Sequence, residues 1–310
     1  MSAHERSLRS MLFTPANRPR FVEKAGAWGA DAIIFDLEDS VPPAEKAQAR
    51  AAAAAAVQRW AGQTLYLRVN PVAARMPFVE ALGLEDIAAA VTPGLHGIVL
   101  PKAEAAQDVQ AADRALTAAE QRTGLPVGSL EIIPLIETAR GVWACLEILQ
   151  ASPRVRRAGF GALDLLHDLG MHWAGTSDTL LYARTRLVLA SRVAGCAPPI
   201  DTVYPLLDDL HGLEQEARLA RRLGFSGKMC VHPRQVPVVN AVFSPAPDEI
   251  VWAQRVMAAF AEAEARGEGS ISVDGTLVDY PVVHMARRVL EQARALGLLP
   301  PDAAAELPTR

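Results

Sequence analysis

The sequence predicts a (β/α)8 barrel, and three observations support this prediction. Eight short apolar runs alternate with longer segments of helical spacing, at intervals of roughly 30 residues. The chain has 310 residues, more than the about 250 residues that such a barrel typically needs. No Gly-x-Gly-x-x-Gly turn follows the first run, so a doubly wound open sheet is the weaker alternative.

The eight apolar runs are short and bounded by turn residues, which is typical of strands in a parallel sheet. We predict strands at Leu8–Thr14, Ala32–Leu37, Leu65–Asn70, Gly97–Lys102, Glu131–Glu137, Ala158–Asp164, Pro199–Tyr204 and Gly227–Pro233. Helices are predicted between them, for example over "RFVEKAGAWG", "PAEKAQARAAAAAAVQRW" and "LLYARTRLVLASRVAG". The alanine run at 51–56 is a helix interior because alanine has the highest helix propensity.

The part of the chain beyond the eighth strand exceeds what a barrel needs. A helix is predicted from Pro247 to about Arg266, then a turn or small hairpin in "GEGSISVDGTLVDYP", then an amphipathic helix in "VVHMARRVLEQARAL". The predicted organisation is therefore a catalytic barrel over residues 1–245 and a C-terminal helical extension over 246–298. The extension includes a lid segment that contributes to a neighbouring subunit, and residues 299–310 form a flexible tail.

Composition excludes several classes of protein. The net charge of −4 and the pI near 6.0 argue against nucleic-acid binding, because no basic face would neutralise phosphates. Three widely spaced cysteines without a Cys-x-x-Cys pair argue against a disulfide framework or a zinc site. No apolar run approaches the roughly 20 residues that span a bilayer, and the N-terminus has no apolar signal core. A cytoplasmic globular protein is expected.

Polar residues follow most of the predicted strands. In barrel enzymes the chemistry lies at the carboxyl ends of the strands, so these side chains should meet at one rim. They are Asn17, Asp36, Glu38, Asp39, Arg68, Asn70, Lys102, Glu137, Asp164 and His232. Both signs of charge at one rim predict a functional site.

Glu137 and Asp164 are predicted at the ends of adjacent strands and can share one cation. Oxygen ligands without nearby His or Cys favour a hard ion, and two carboxylates with water and substrate oxygens suit Mg²⁺, with Mn²⁺ also possible. Two alternatives stay open: Glu137 pairs with Arg68, and Asp164 caps the next helix. A buried Arg68 needs an anion, which is a substrate, the acids after strand two, or both.

These residues lie in segments that resemble a known family. "SMLFTPANRPRFVEKA", "DAIIFDLEDSVPPAEKAQAR", "LYLRVN", "GIVLPKAE", "IIPLIETARGV", "FGALDLLHDLG" and "GFSGKMCVHPRQV" occur in order and together resemble the citrate lyase β-subunit-like group of the HpcH/HpaI aldolase superfamily. The resemblance runs over nearly the whole chain. It implies a (β/α)8 barrel that binds Mg²⁺ and cleaves or forms short 3-hydroxyacyl-CoA thioesters of the malyl-CoA or citramalyl-CoA type. Acetyl-CoA or propionyl-CoA and an oxo acid are the implied products.

The resemblance also implies roles for single residues. The Arg of "LRVN", here Arg68, binds substrate and takes part in catalysis, and the Glu of "PLIET", here Glu137, binds the metal and contacts substrate. The Asp of the "FGxxD" segment, here Asp164, is the second metal ligand. No Schiff base is needed, so Lys102 is interpreted as a charge partner of the acids.

Two terminal segments carry further implied roles. "TLVDYP" resembles the C-terminal element of the CoA-dependent members, in which Asp279 is the acid or base delivered from a neighbouring subunit. A homo-oligomer, a trimer or a hexamer, is therefore expected. "TPANRPR" resembles the CoA-binding segment, with Asn17, Arg18 and Arg20, and with Lys24 one helical turn further on. A plain turn Asp and solvated basic residues are the alternatives.

One departure from the family pattern concerns substrate choice. Many relatives have Glu directly before the metal-binding Asp, whereas this chain has Leu163, and the loop after it carries His167 and His172, which are not expected to be catalytic. A citrate lyase β subunit working on an acyl-carrier thioester, a thioester hydrolase on the same scaffold, and a non-catalytic binding barrel are alternative hypotheses.

The three acids after strand two are interpreted as supporting groups. Asp36, Glu38 and Asp39 are expected to hold water at the metal, orient Arg68 and balance the charge of Lys102. Glu38 and Asp39 are neighbours and point to opposite sides of an extended chain. We therefore expect Asp39 nearer the metal's water and Glu38 in the charge network.

Overall fold

The computed structural model describes residues 7–75, 80–173 and 178–299. The chain divides into two compact units, a barrel unit over Leu8–Phe243 and a second unit that begins at Ser244. The predicted tail beyond residue 299 lies outside the described residues. Within the described ranges, no helix has the length and apolarity required to cross a membrane.

The barrel unit is a closed ring of eight parallel strands. Each strand pairs with its neighbour in sequence, and the last strand pairs with the first. The strands are β1 (Ser10–Pro15), β2 (Ala32–Asp36), β3 (Leu65–Arg68), β4 (Gly97–Leu100), β5 (Glu131–Ile136), β6 (Gly159–Phe160), β7 (Ile200–Asp201) and β8 (Gly227–Cys230). The predicted (β/α)8 fold is confirmed.

Helices follow the strands around the ring. They are α1 (Pro19–Val22), α2 (Lys46–Arg59), α3 (Gly83–Ala90), α4 (Ala106–Thr123), α5 (Ala139–Trp143), α6 (Cys145–Leu149), α7 (Ala162–Asp168), α8 (Leu181–Val193), α9 (Leu210–Leu223) and α10 (Gln235–Phe243). Local sequence sets several boundaries. Asp209, for example, accepts a hydrogen bond from the amide of Gly212 at the start of α9, and Gly224 ends that helix in the left-handed conformation.

The strands are shorter than the sequence predicts, and one difference affects the site. The prediction extended strand six to Asp164, but β6 ends at Phe160 and Asp164 lies in the first turn of α7. Ala-Leu-Asp-Leu-Leu is a good helix sequence once Gly161 has broken the strand, so the helical propensity of this segment prevails. Asp164 therefore reaches the rim from a helix.

Two apolar layers hold the barrel together. Side chains that alternate along the strands fill the interior, and the opposite faces pack against the helices in a larger cluster. The outer layer also contains a fully buried network in which Arg184 and Lys228 both pair with Asp201 and Glu216, at distances of 2.7–3.3 Å. Because Asp201 and Lys228 are partners in the β7–β8 register, their side chains leave the sheet at one level and on one face.

The second unit has its own small core. It contains α11 (Pro247–Ala265), the antiparallel strands β9 (Ser270–Val273) and β10 (Thr276–Asp279), and α12 (Tyr280–Ala295). The predicted helix, hairpin and helix are confirmed. The hairpin turn is Asp274-Gly275, both with positive φ (51° and 76°), as a tight two-residue turn between twisted strands requires.

Candidate functional site

The strand alternation carries three charged side chains to the carboxyl end of the barrel. Ile34, Tyr66 and Leu135 point into the barrel interior. Two positions further along β2, β3 and the end of β5, the side chains on this same face are Asp36, Arg68 and Glu137. The three residues that the sequence places at strand ends therefore occupy the inner rim together.

Arg68 is held by the acids after β2. Its guanidinium donates to both oxygens of Asp36 at 2.6 Å, and Nη1 lies 3.1 Å from Glu38 and 3.4 Å from Asp39. The ring of Phe13 lies under the guanidinium at 4.6 Å. Asp36 and Arg68 are register partners in neighbouring strands, so the β2–β3 pairing brings their side chains together as a bidentate ion pair.

The charge of Asp36 is secured by donors. Burial by itself raises a carboxyl pKa, but the charge and hydrogen bonds of Arg68, the Ser40 hydroxyl and the Glu38 amide outweigh it and hold the pKa of Asp36 below its usual value. Burial likewise opposes the charge of Arg68, and Asp36 and Glu38 more than compensate, which raises its pKa. This pair is a fixed ionic element of the rim.

Lys102 links the acids of β2 to the far side of the rim. Its ammonium lies 2.5 Å from Glu38 and 3.2 Å from Asp164, while its backbone N–H donates to Glu137 at 2.7 Å. The backbone of Lys102 is in the left-handed region, with φ of 49°. This conformation is unfavourable for a residue other than glycine. In Lys102 it directs both the backbone amide and the side-chain ammonium toward the carboxylates of the rim.

Glu38 and Asp39 differ in environment. Glu38 is buried, and burial raises its pKa to about 7 although Arg68 and Lys102 both oppose that rise. The Asp39 side chain is 56% exposed and lies 3.8 Å from the Lys102 ammonium. The structure places Glu38 inside the charge network and Asp39 at its solvent side.

Glu137 and Asp164 form the candidate metal site. Glu137 is buried, and burial together with the charge of Asp164 raises the pKa of Glu137 well above its usual value. Repulsion of this kind is what a divalent cation relieves. No group of three or more His, Cys, Asp or Glu side chains able to hold a metal occurs within the described ranges. Two carboxylate donors suit a hard ion such as Mg²⁺, for which water and substrate oxygens would supply the remaining ligands.

Gly161 makes room for the Glu137 carboxylate. A Cβ built on Gly161 would lie 2.3 Å from Oε2 and 2.4 Å from Cβ of Glu137. Such contacts are impossible, so any side chain here displaces the carboxylate. The absence of a side chain at position 161 is thus part of the candidate metal site, a contribution that the sequence analysis did not identify.

A Gly161→Ala variant tests this arrangement. The residue has φ of −112°, which alanine adopts readily, so the fold should be retained while the Glu137 carboxylate shifts. Misplacement by about 1 Å can cost about 100-fold in rate, and we expect a loss of that order in kcat/KM. Gly269→Ala, where a Cβ would meet only the edge of the Tyr280 ring at 4.0 Å, is a control for expression and folding. Unchanged kcat/KM in Gly161→Ala would contradict the role of this gap.

Two cavities open at this rim and share Phe13, Pro15 and Val231. The rim cavity measures about 410 Å³ and its lining includes Asp36, Asp39, Ser40, Arg68, Leu135, Glu137, Gly161, Ala162, Leu163, Asp164, Thr202, Val203 and Met229. The candidate metal site and Arg68 therefore line the same cavity.

The second, cationic cavity measures about 860 Å³ and lies along β1, α1 and the end of β8. Its basic lining residues are Arg18, Arg20, Lys24, His232 and Arg234. Phe21 and Trp28 also line it, with 59% and 41% of their surface exposed. Four permanent cations beside two exposed rings suit a ligand with phosphates and an aromatic base.

Sequence reasoning identified part of this second cavity. Of the residues predicted to contact CoA, Arg18, Arg20 and Lys24 line this cavity, whereas Asn17 donates to Glu45 at 2.5 Å and is not among the lining residues. Arg234 could not be identified from the sequence, because the return of β8 beside β1 is a property of the closed ring. Phe21 and Trp28 lie in the same segment as Arg20 and Lys24 but were not identified. A supporting residue was also not identified.

Lys46 is that supporting residue. Its ammonium donates to the carbonyl oxygens of Leu37 and Glu38 at 2.8 Å and to the side chain of Asn70 at 2.7 Å. Asn70 in turn bonds Leu37 and Asp86. These bonds fix the backbone of the acidic segment after β2, and the only sequence signal was Asn70 at the end of "LRVN".

Asp279 belongs to the second unit. It ends β10 and is the N-cap of α12, where its carboxylate lies 3.4 Å from the amide of Val282. The turn-and-cap role that the sequence allowed is therefore present.

Comparisons with known proteins identify relatives of the chain. Residues 9–233 match the model of the family described as HpcH/HpaI aldolase/citrate lyase. The citrate lyase subunit beta of Leuconostoc mesenteroides subsp. cremoris is 40% identical over 298 residues, which cover 96% of each chain. The L-malyl-CoA/beta-methylmalyl-CoA lyase of Cereibacter sphaeroides (strain ATCC 17029) is 34% identical, with 93% of this chain and 95% of the relative covered.

A solved structure shows what a similar chain binds. CitE from Mycobacterium tuberculosis, in complex with magnesium, acetoacetate and coenzyme A, is 32% identical with a TM-score of 0.73. The match covers 93% of this chain and 98% of that one.

Proposed function

The chain belongs to the HpcH/HpaI aldolase/citrate lyase family and is a carbon–carbon lyase, and from this premise we propose its substrate class. It cleaves or forms a short 3-hydroxyacyl-CoA thioester of the malyl-CoA or citramalyl-CoA type, with Mg²⁺ as cofactor. The products are acetyl-CoA or propionyl-CoA and an oxo acid. The observation that carries the proposal is the cationic cavity, which meets the rim cavity at Phe13, Pro15 and Val231.

The two cavities suit the two ends of such a thioester. The adenine and phosphates of CoA match the rings and the basic side chains of the cationic cavity. The acyl group then extends past the shared residues to Arg68 and the carboxylates of the rim. CoA carries a pyrophosphate and a 3′-phosphate, and Arg18, Arg20, Lys24 and Arg234 supply cations for them.

Glu137 and Asp164 would hold Mg²⁺. When bound, Mg²⁺ supplies Lewis-acid chemistry, lowering the pKa of a hydroxyl group beside it and balancing negative charge. Arg68 is held in place by Asp36 and Glu38, and the two metal-ligand carboxylates are held by contacts with Lys102. The burial of Glu137 keeps its carboxylate away from bulk water.

In the cleavage direction, the hydroxyl group of the acyl chain gives up its proton to water and becomes the carbonyl of the oxo acid. The carbon–carbon bond breaks, and its electron pair stays on the thioester as an enolate. Arg68, which lines the rim cavity, donates to the enolate oxygen. Asp279 of a neighbouring subunit protonates the enolate carbon, which requires a homo-oligomer, for which a trimer or a hexamer is expected. Full activity of Asp279→Asn would contradict this last role.

A second candidate function is that of a citrate lyase β subunit, which acts on an acyl-carrier thioester. The 40% identity with the Leuconostoc protein favours it. A thioester hydrolase is the third, because the same groups can position water.

The carrier is tested by comparing CoA thioesters with pantetheine thioesters of the same acyl group. We expect the CoA ester to have a KM at least about 10-fold lower, because pantetheine lacks the phosphates and the adenine. Replacing both Arg20 and Lys24 by alanine should raise the KM for the CoA ester by about 10-fold and leave the pantetheine ester unaffected. Arg255→Ala, an exposed position in the second unit, is the matched control for loss of charge. Turnover of an acyl-carrier thioester alone would contradict the proposal.

A further inference from the structure

The rim cavity is lined by both charged and apolar side chains. Its charged and hydroxyl-bearing lining residues are Asp36, Asp39, Ser40, Arg68, Glu137, Asp164 and Thr202. Its apolar lining residues include Phe13, Leu135, Leu163, Val203 and Met229. A substrate that uses its hydroxyl group and one carboxylate to bind the charged groups leaves its remaining substituent to the apolar side chains.

The charge balance of the rim limits what that substituent can be. Five carboxylates meet there, from Asp36, Glu38, Asp39, Glu137 and Asp164, and Arg68 and Lys102 are their cationic partners. With one bound divalent cation the summed formal charge of these groups is still negative, which disfavours a second substrate carboxylate in the cavity.

Leu163 is the apolar side chain best placed to contact the substituent. It precedes Asp164 in the first turn of α7, so it adjoins the candidate metal site along the chain. It is 40% exposed, whereas Leu135 and Met229 are buried, at 2% and 4%. Val231 is equally exposed, but it lies where the rim cavity meets the cationic cavity. The exposed surface of Leu163 is available to an apolar substituent of a ligand, and covering it would be favourable.

We propose that Leu163 is a specificity-determining residue that contacts an uncharged alkyl substituent of the oxo-acid part of the substrate. The cavity then prefers acyl groups with one free carboxylate over acyl groups with two. This inference rests on the proposed function, since it assumes that an oxo acid binds at the rim. Beyond the proposed function, it specifies the substituent of the oxo acid and the residue that selects it.

The test is calorimetric titration of the Mg²⁺-loaded protein with four oxo acids. Glyoxylate has no substituent, pyruvate has a methyl group, 2-oxobutyrate has an ethyl group, and oxaloacetate has a second carboxylate. We expect pyruvate and 2-oxobutyrate to bind at least as tightly as glyoxylate, and oxaloacetate about 10-fold more weakly than pyruvate.

Leu163→Asn identifies the residue. This variant keeps the approximate size but loses the apolar contact, so pyruvate should bind about 10-fold more weakly while the affinity for glyoxylate is unchanged. Leu163→Met should keep the wild-type order. Leu169→Asn is the matched control, because Leu169 is exposed by 47%, directly follows the same helix and does not line the cavity.

Different outcomes contradict different claims. Tighter binding of oxaloacetate than of pyruvate, or an equal loss for all four acids in Leu163→Asn, would overturn the role of Leu163 and leave the lyase proposal standing. Failure of all four acids to bind would contradict the proposed function itself, and this inference with it.

Discussion

Arg68→Met is expected to lower kcat for a malyl-CoA-type thioester by about 100- to 1,000-fold, with a smaller change in KM. Removing one donor to a developing oxyanion costs about that much in enzymes of other families. Here the donor is also preorganised by Asp36 and Glu38, so no water can take its place without rearranging the rim. Steady-state kinetics with purified protein provide the measurement.

A double variant separates this catalytic effect from a structural one. Arg68→Met leaves the buried Asp36 without its partner, which is expected to reduce the free energy of unfolding by about 3–5 kcal/mol. Combining it with Asp36→Asn removes the unpaired charge and should restore much of that stability. Activity should stay low in the double variant. If stability and activity returned together, Arg68 would be only a structural ion-pair partner.

Glu137→Gln is expected to weaken Mg²⁺ binding by about 100-fold or more and to abolish turnover at millimolar Mg²⁺. Residues that merely support a ligand typically contribute about 10- to 100-fold in metal affinity, and a direct ligand should contribute at least as much. The wild-type protein should lose activity in EDTA and regain it with Mg²⁺. Isothermal titration with Mg²⁺ measures the affinity without relying on turnover.

The control for this prediction is Glu147→Gln, which removes one carboxylate from an exposed position of α6 and should bind Mg²⁺ like the wild type. Asp164→Asn should resemble Glu137→Gln. Chelator-resistant activity in the wild type would contradict the metal assignment.

The sequence predicted the barrel and the inner rim because both follow from local periodicity. Period-two alternation ending in Asp36, Arg68 and Glu137 is visible in single strands, and parallel strands bring their carboxyl ends to one rim. Asp164 was assigned to a strand because "AGFGALD" is apolar throughout, and periodicity cannot separate a short strand from a helix start.

Features that depend on closure of the ring could not be predicted in this way. The cationic cavity joins Arg18 and Arg20 to His232 and Arg234, more than 200 residues later in the chain, through the pairing of β1 with β8. The fit of Gly161 against Glu137 depends on the distance between two neighbouring strand ends. Lys46, at the start of α2, donates to the backbone carbonyl oxygens of Leu37 and Glu38, and nothing in its local sequence indicates that contact.

The three acids at the end of β2, Asp36, Glu38 and Asp39, show what the sequence could predict and what it could not. Their crowding predicted a need for cations, donors or water, and the structure supplies Arg68, Lys102 and the Ser40 hydroxyl. The sequence could not show that Asp36 is an ionised partner of Arg68 while burial raises the pKa of Glu38. The pKa values of Asp36 and Glu38 depend on burial and on the contacts of each carboxylate, which only the folded structure reveals.

The most direct test of the central claim is identification of the products formed from malyl-CoA and citramalyl-CoA in the presence of Mg²⁺. Mass spectrometry of a single turnover should show acetyl-CoA with glyoxylate from the first and acetyl-CoA with pyruvate from the second. Arg68→Met should form neither pair. Release of free CoA with the intact hydroxy acid would instead identify a thioester hydrolase and contradict the account.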